Sequence, residues 1–195
     1  MIGKTLKFLL LFSLLFTFSC KKGDDSSILS LTNDTDEAVK LIDSANKDLQ
    51  EIKKLYKANE SRVEDLKQAM KDEKIEEVKK IANDAVYAIN NGMGLGIKAV
   101  EKIDEAKNLD INDDFREYLD LKENSLRKLM EAFELRRQIA LALRDGYDPK
   151  NIKQRDIVKA EFQEKDELFK KLQKEAQDDS RKANVLAKEA SQNED

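Results

Sequence analysis

The sequence predicts an all-α protein: an antiparallel up-down bundle of four long helices with coiled-coil-like heptad packing. Three observations carry that prediction. Gly and Pro number only 6 and 1 in 195 residues, while charged residues make up 39%, a composition suited to long helices. Apolar residues recur at alternating spacings of three and four over long stretches, the period of a helix that buries one face. The connections between these stretches are short, so each helix must fold back beside its predecessor.

The first helix is predicted over 34–71. Asp34 suits an N-cap, with Glu37 three residues on as its capping-box partner. The seam runs Ile42, Ala45, Leu49, Ile52, Tyr56, Asn59, Val63, Leu66 and Met70 without a missed step. Asn59 is its polar exception, the kind of residue that fixes register when buried. The phase then jumps by five to Ile75, which places a turn in Lys71-Asp72-Glu73-Lys74.

The second helix, 74–108, carries Val78, Ala82, Ala85, Ile89, Gly92, Gly96, Ala99 and Ile103 on its seam. The third, 113–145, follows a polar linker and is capped by Asp113 or Asp114, with Glu117 as box partner of Asp114. Its apolar residues include Phe115, Tyr118, Leu119, Leu126, Leu129, Phe133, Ala140 and Leu143. Gly146 reads as a left-handed C-terminal position, and Asp148-Pro149 as N-cap and first residue of the fourth helix, 149–190. That helix continues through Val158, Phe162, Leu168, Phe169, Leu172, Ala176, Ala183 and Leu186. At about 1.5 Å per residue the four are rods of about 50 to 65 Å. A spacing near 35 residues also suits tetratricopeptide repeats, but their signature positions do not recur, so the bundle is preferred.

Residues 1–20, MIGKTLKFLLLFSLLFTFSC, have a different character. Lys4 and Lys7 precede an apolar run from Phe8 to Phe18, broken only by Ser13 and Thr17, and Ser19 is a small residue before Cys20. This basic–apolar–small order is that of a secretion signal. A membrane span needs about 20 apolar residues, more than this run supplies. Cys20 is the only cysteine, so it has no internal disulfide partner. The segment resembles the lipobox signal peptides of bacterial lipoproteins, in the relaxed spirochaete-type form, since Thr17 stands where the usual leucine would be.

That resemblance implies cleavage after Ser19, a diacylglycerol on the Cys20 sulfur and a further, palmitate-type acyl chain on the new amino group. Two or more chains are what stable anchoring takes. Lys21, rather than an acidic residue, follows the cysteine. By the same resemblance this favours the outer membrane. Residues 20–33 then form the lipidated cysteine and a flexible tether, and 34–195 the bundle. Removing residues 1–19 takes away Lys4 and Lys7 and no acid, so the formal charge moves from −4 to −6. Mild acidity with interspersed signs argues against nucleic acid as a partner.

Histidine is absent, which removes Ser-His-Asp and Cys-His catalysis and imidazole metal sites. Asp110, Asn112 and Asp114 alternate like the opening of a calcium loop, but Phe115 and Leu121 stand where that loop needs Gly and Glu. No metal, no cofactor beyond the covalent lipid, and no enzymatic activity are expected. The one local rule-breaker is Gly92-Met93-Gly94-Leu95-Gly96 inside the second helix. It reads either as close helix contact or as a hinge or ligand gap at Gly92, Gly94 and Gly96. The expected function is that of a membrane-anchored, non-enzymatic lipoprotein of the envelope, presenting a helical bundle to a protein partner, with a monomer favoured. The alternatives are a carrier of a small apolar ligand near Gly92–Gly96 and a structural coiled-coil oligomer.

Overall fold

The computed structural model describes residues 34–60 and 62–192. The expected leader, Cys20 and the expected tether, residues 1–33, lie outside the described residues. Five helices occupy the rest: α1 (Thr35–Glu60), α2 (Arg62–Lys71), α3 (Ile75–Lys107), α4 (Asp113–Gly146) and α5 (Ile152–Gln192). α1 and α2 lie on either side of Ser61, in the place of the predicted first helix. The protein is an all-α bundle.

The helices pack in chain order: α1 and α2 on α3, α3 on α4, and α4 on α5. Among the described residues, no Cα of α1 lies within 8 Å of one in α5. Pairings between neighbours run in opposite senses. The Asp110 N–H donates to Asp34 Oδ2 at 3.1 Å, Lys102 pairs with Asp48 at 2.6 Å, and Arg62 pairs with Asp84 at 3.0 Å. Between α4 and α5 the same fall in numbering runs from Lys128–Asp179 at 2.6 Å to Arg136–Asp166 at 2.7 Å.

The core forms where the seams meet. Its larger part lies toward the α3–α4 corner and includes Ile42, Leu49, Ile103, Phe115, Leu119 and Leu126. A smaller cluster of Ala82, Ile139 and Leu143 lies at the other end, with Leu66, Tyr147 and Val158 packed on it. Between them Tyr56 meets Phe133 edge-on, with ring centroids 6.4 Å apart. Three seam assignments fail. Met70 is exposed while its neighbour Ala69 is buried, and Phe162 and Leu168 on α5 are 41% and 44% exposed. The physical reason on α5 is that, among the described residues, α4 is the one helix whose Cα atoms come within 8 Å of it, which covers a narrower stripe than a surrounded helix would bury.

The helix ends correct the sequence reading in three places. Asn112, not Asp113 or Asp114, caps α4: its extended backbone lets Oδ1 accept the Phe115 N–H at 2.7 Å. The two aspartates fall in the first turn, where they complement the helix dipole. Asp34 stands directly before α1, its backbone carbonyl accepting from Glu37 and Ala38 and its carboxylate from the Asp110 N–H. Gly146 ends α4 without a left-handed φ; the Gln154 amide sits 3.2 Å from where a Cβ would stand. Pro149 lies in a turn rather than a helix. Asp148 Oδ1 takes the Lys150 N–H at 3.0 Å, and Asn151 Oδ1 caps α5 through the Gln154 N–H at 3.0 Å.

The predicted 71–74 turn is present without glycine. Glu73 adopts φ 54°, and the Lys74 N–H reaches back to the Ala69 carbonyl at 2.9 Å, a Schellman closure. At the other corner, Arg116 gathers the chain between α3 and α4. Its guanidinium donates to the carbonyls of Lys107 (3.2 Å), Leu109 (3.3 Å) and Ile111 (3.2 Å).

Candidate functional site

The glycine segment lies within α3, which runs through it without interruption. Gly96 is buried, and a Cβ there would stand 3.0 Å from Met130 Sδ and 3.2 Å from Met130 Cγ. Met130 therefore fills the notch that the missing side chain leaves. Gly92 faces Ile52 of α1 at 4.0 Å, while Gly94 points away from the core with nothing within 4 Å. From α1 it is Ile52 that lies at this level, and from α4 it is Met130. Asn59 lies in the last turn of α1, and its side chain is outside the description.

Asp110 and Asn112 are both used to close the α3–α4 corner. Among the described residues no group of three or more acids is placed to hold a metal ion. Cys20 and Ser19, the expected lipid attachment and cleavage positions, lie outside the described residues.

The chemistry that sequence reasoning missed is a buried polar layer where the first half of α4 meets the second half of α5. Lys122, Glu123 and Ser125 are 4%, 6% and 0% exposed. Ser125 Oγ donates to the Ala176 carbonyl at 2.7 Å. Lys122 Nζ donates to Asn184 Oδ1 at 2.8 Å and to Ser180 Oγ at 3.2 Å, and lies 5.4 Å from the Tyr118 ring centroid. Burial pushes the Lys122 amine down to about 8. Glu123 accepts from Lys107 at 2.7 Å and from Arg127 at 2.6 Å.

Opposing effects set the charge states of this second group. Burial pulls the Glu123 carboxyl upward, but Lys107 and Arg127 together hold it below the ordinary carboxylate range. Lys107 is likewise disfavoured by burial, yet Asp120 and Glu123 raise it above its usual value. Among the described residues no buried side-chain nitrogen or oxygen lacks a hydrogen-bond partner. A layer satisfied throughout rigidifies and specifies a pairing. The sequence did carry a signal for it: from Leu119 to Leu126 the apolar rhythm skips the positions of Lys122 and Glu123.

A strongly displaced lysine is one mark of a reactive site, but chemistry also needs access. Lys122 is enclosed, and a crevice between α4 and α5 lined by Ile139, Val158 and Phe162 holds only about 10 Å³, room for at most about one water. Lys122 and Ser125 therefore lock α4 to α5, while Glu123 ties α4 to the end of α3. Comparison with family models, curated proteins and solved structures finds no significant match to this chain. Among the described residues, α3 and α5 carry most of the exposed large apolar side chains, among them Tyr87, Ile97, Ile157 and Leu168.

Proposed function

We propose that the chain is a non-enzymatic lipoprotein of the bacterial envelope, anchored through acyl chains on Cys20, outer-membrane in location, and presenting its helical bundle to a protein partner. The observation that carries this reading is Cys20, the sole cysteine, placed directly after a basic, apolar and small-residue leader. Two features of the bundle are consistent with it. Among the described residues no helix is long and apolar enough to cross a membrane. The polar interior is committed to hydrogen bonds between helices, which supports a role for the outer surface rather than an internal pocket.

The chain enters the bundle at Asp34, against the α3–α4 corner, at the end opposite the α2–α3 and α4–α5 turns. Metabolic labelling with a radioactive fatty acid tests the reading: the wild type incorporates label and Cys20→Ser does not. Equal labelling of the two removes the lipoprotein.

A further inference from the structure

The five helices are not equally secured. α2 is 10 residues long, and a helix that short is marginal in water on its own, so it depends on what it packs against. Among the described residues its Cα atoms come within 8 Å of α3 and, at the junction, of α1, but of neither α4 nor α5. It buries one side chain, Ala69, whereas α1 buries Ala38, Ile42, Ala45 and Leu49. Val63 and Leu66 are half-buried and Met70 is exposed.

Among the described residues two polar contacts tie α2 to the rest of the bundle. At its start Arg62 pairs with Asp84 at 3.0 Å, the side chains 45% and 41% exposed, and an ion pair so exposed contributes little. At its end the Tyr147 hydroxyl donates to the Met70 carbonyl at 3.1 Å. The turn that follows holds Glu73 at φ 54°, a left-handed conformation that disfavours a glutamate. That strain is relieved when the turn and α2 come loose together. Beneath α2, Leu66 rests on the cluster of Ala82, Ile139 and Leu143, as do Tyr147 and Val158. Ile139 and Val158 also line the crevice between α4 and α5, so cluster and crevice adjoin.

We infer that α2 is a releasable strap: it comes away from α3 and unfolds as a unit while α1, α3, α4 and α5 keep their structure, and its departure uncovers the apolar cluster on which Leu66 rests. Length makes the release all-or-none for the segment, because residues 62–71 freed from α3 are too few to stay helical alone. Sparse burial and two polar ties place its opening at the low end of the range of local stabilities within a fold. The long helices, each with several buried seam residues, lie at the high end. Release exposes Ala82, Ile139 and Leu143 beside a crevice that holds about 10 Å³ while α2 is seated. Cluster and crevice then form one open apolar cleft. The strap is independent of the lipid on Cys20.

Hydrogen exchange of the full chain in a neutral detergent, resolved to single amides, tests it. In the wild type the amides of 66–71 share one protection factor, about 100-fold or more below that of 119–129 in the core. Tyr147→Phe keeps the ring on the cluster but drops the hydrogen bond to Met70. It speeds exchange of 66–71 about fivefold and leaves 119–129 unchanged. Glu73→Gly relieves the turn and slows exchange of 66–71 about threefold. An unchanged helical circular dichroism spectrum verifies the fold of each variant. Protection in 66–71 equal to that of 119–129, protection that falls off gradually from one end of α2, or a Tyr147→Phe variant that leaves 66–71 unchanged or speeds both segments alike would each overturn the inference.

Discussion

Lys122 makes the stability of the bundle depend on pH in a direction opposite to most lysines. Its amine is pushed from 10.5 down to about 8 by burial, so the unfolded chain binds this proton more tightly than the folded one does. Below pH 8 the amine is charged in both states and its burial opposes folding. Between about 8 and 10.5 the folded state has released the proton and the unfolded state has not, so stability rises with pH. The displacement corresponds to about 3 kcal/mol over that window. Lys122→Met keeps the length and apolar stem of the side chain while removing the charge. The variant gives up the hydrogen bonds to Ser180 and Asn184 but also escapes the desolvation cost, so near pH 7 the two changes offset to within about 1–2 kcal/mol. Urea unfolding followed by circular dichroism at half-unit steps from pH 7 to 10.5 measures both. Lys107, Lys128 and Lys170, whose amines are raised, lose their contributions only above this window and are common to both proteins. The difference between wild type and variant therefore isolates Lys122. Parallel pH profiles would refute the reasoning.

Three further substitutions probe the backbone features. Gly94→Ala gains about 1 kcal/mol of helix propensity with no clash, whereas at Gly96 the same gain is cancelled by the displacement of Met130, only 3.0 Å away; melting curves that rank the two equally contradict this packing. Glu73→Gly relieves a left-handed φ of 54° and raises stability by about 0.5–1 kcal/mol, measured as an upward shift of the urea midpoint with an unchanged slope. Arg116→Ala removes the donor to three backbone carbonyls and lowers stability by about 2 kcal/mol, with faster amide exchange confined to 107–113; uniform exchange along the chain would show that Arg116 is not what holds the corner. At acid pH, Glu123, Glu134 and Asp166, all held below the usual carboxylate range by basic partners, contribute stability that is lost as pH falls through their lowered values. Glu123→Gln makes the acid transition shallower, which a pH titration of ellipticity records.

The helices and the core at the α3–α4 end were legible because Ile42, Leu49, Ile103 and Leu126 repeat at the helical period, and burial follows period directly. The turn at 71–74 was legible from phase alone, although a glutamate, not a glycine, takes its left-handed position. Caps were harder. Asn112, Asp113 and Asp114 all have capping side chains, and the choice among them depends on which residue the Arg116-bound corner leaves extended. Phe162 and Leu168 misled because a seam records which residues are apolar, not how many neighbours cover them. The Lys122–Glu123–Ser125 layer was hidden by composition: on helices this charged, a lysine or glutamate reads as solvated. Only the gap in the apolar rhythm between Leu119 and Leu126 distinguishes the buried ones. The glycines divide by what meets them in space. Gly96 faces Met130 and Gly94 faces outward, and sequence spacing alone could not separate the two.

The contact between Asp34 and the Asp110 N–H has a mechanical consequence. A pull on the residues preceding Asp34 does not act on a free helix end, because the carboxylate passes part of the load to the α3–α4 corner, which Arg116 ties together at three carbonyls. Tension entering there is spread over α1, α3 and α4 at once, and α1 must slide along α3, breaking Lys102–Asp48, before it can peel away. The end of the bundle that receives the chain is thus built to be loaded in shear.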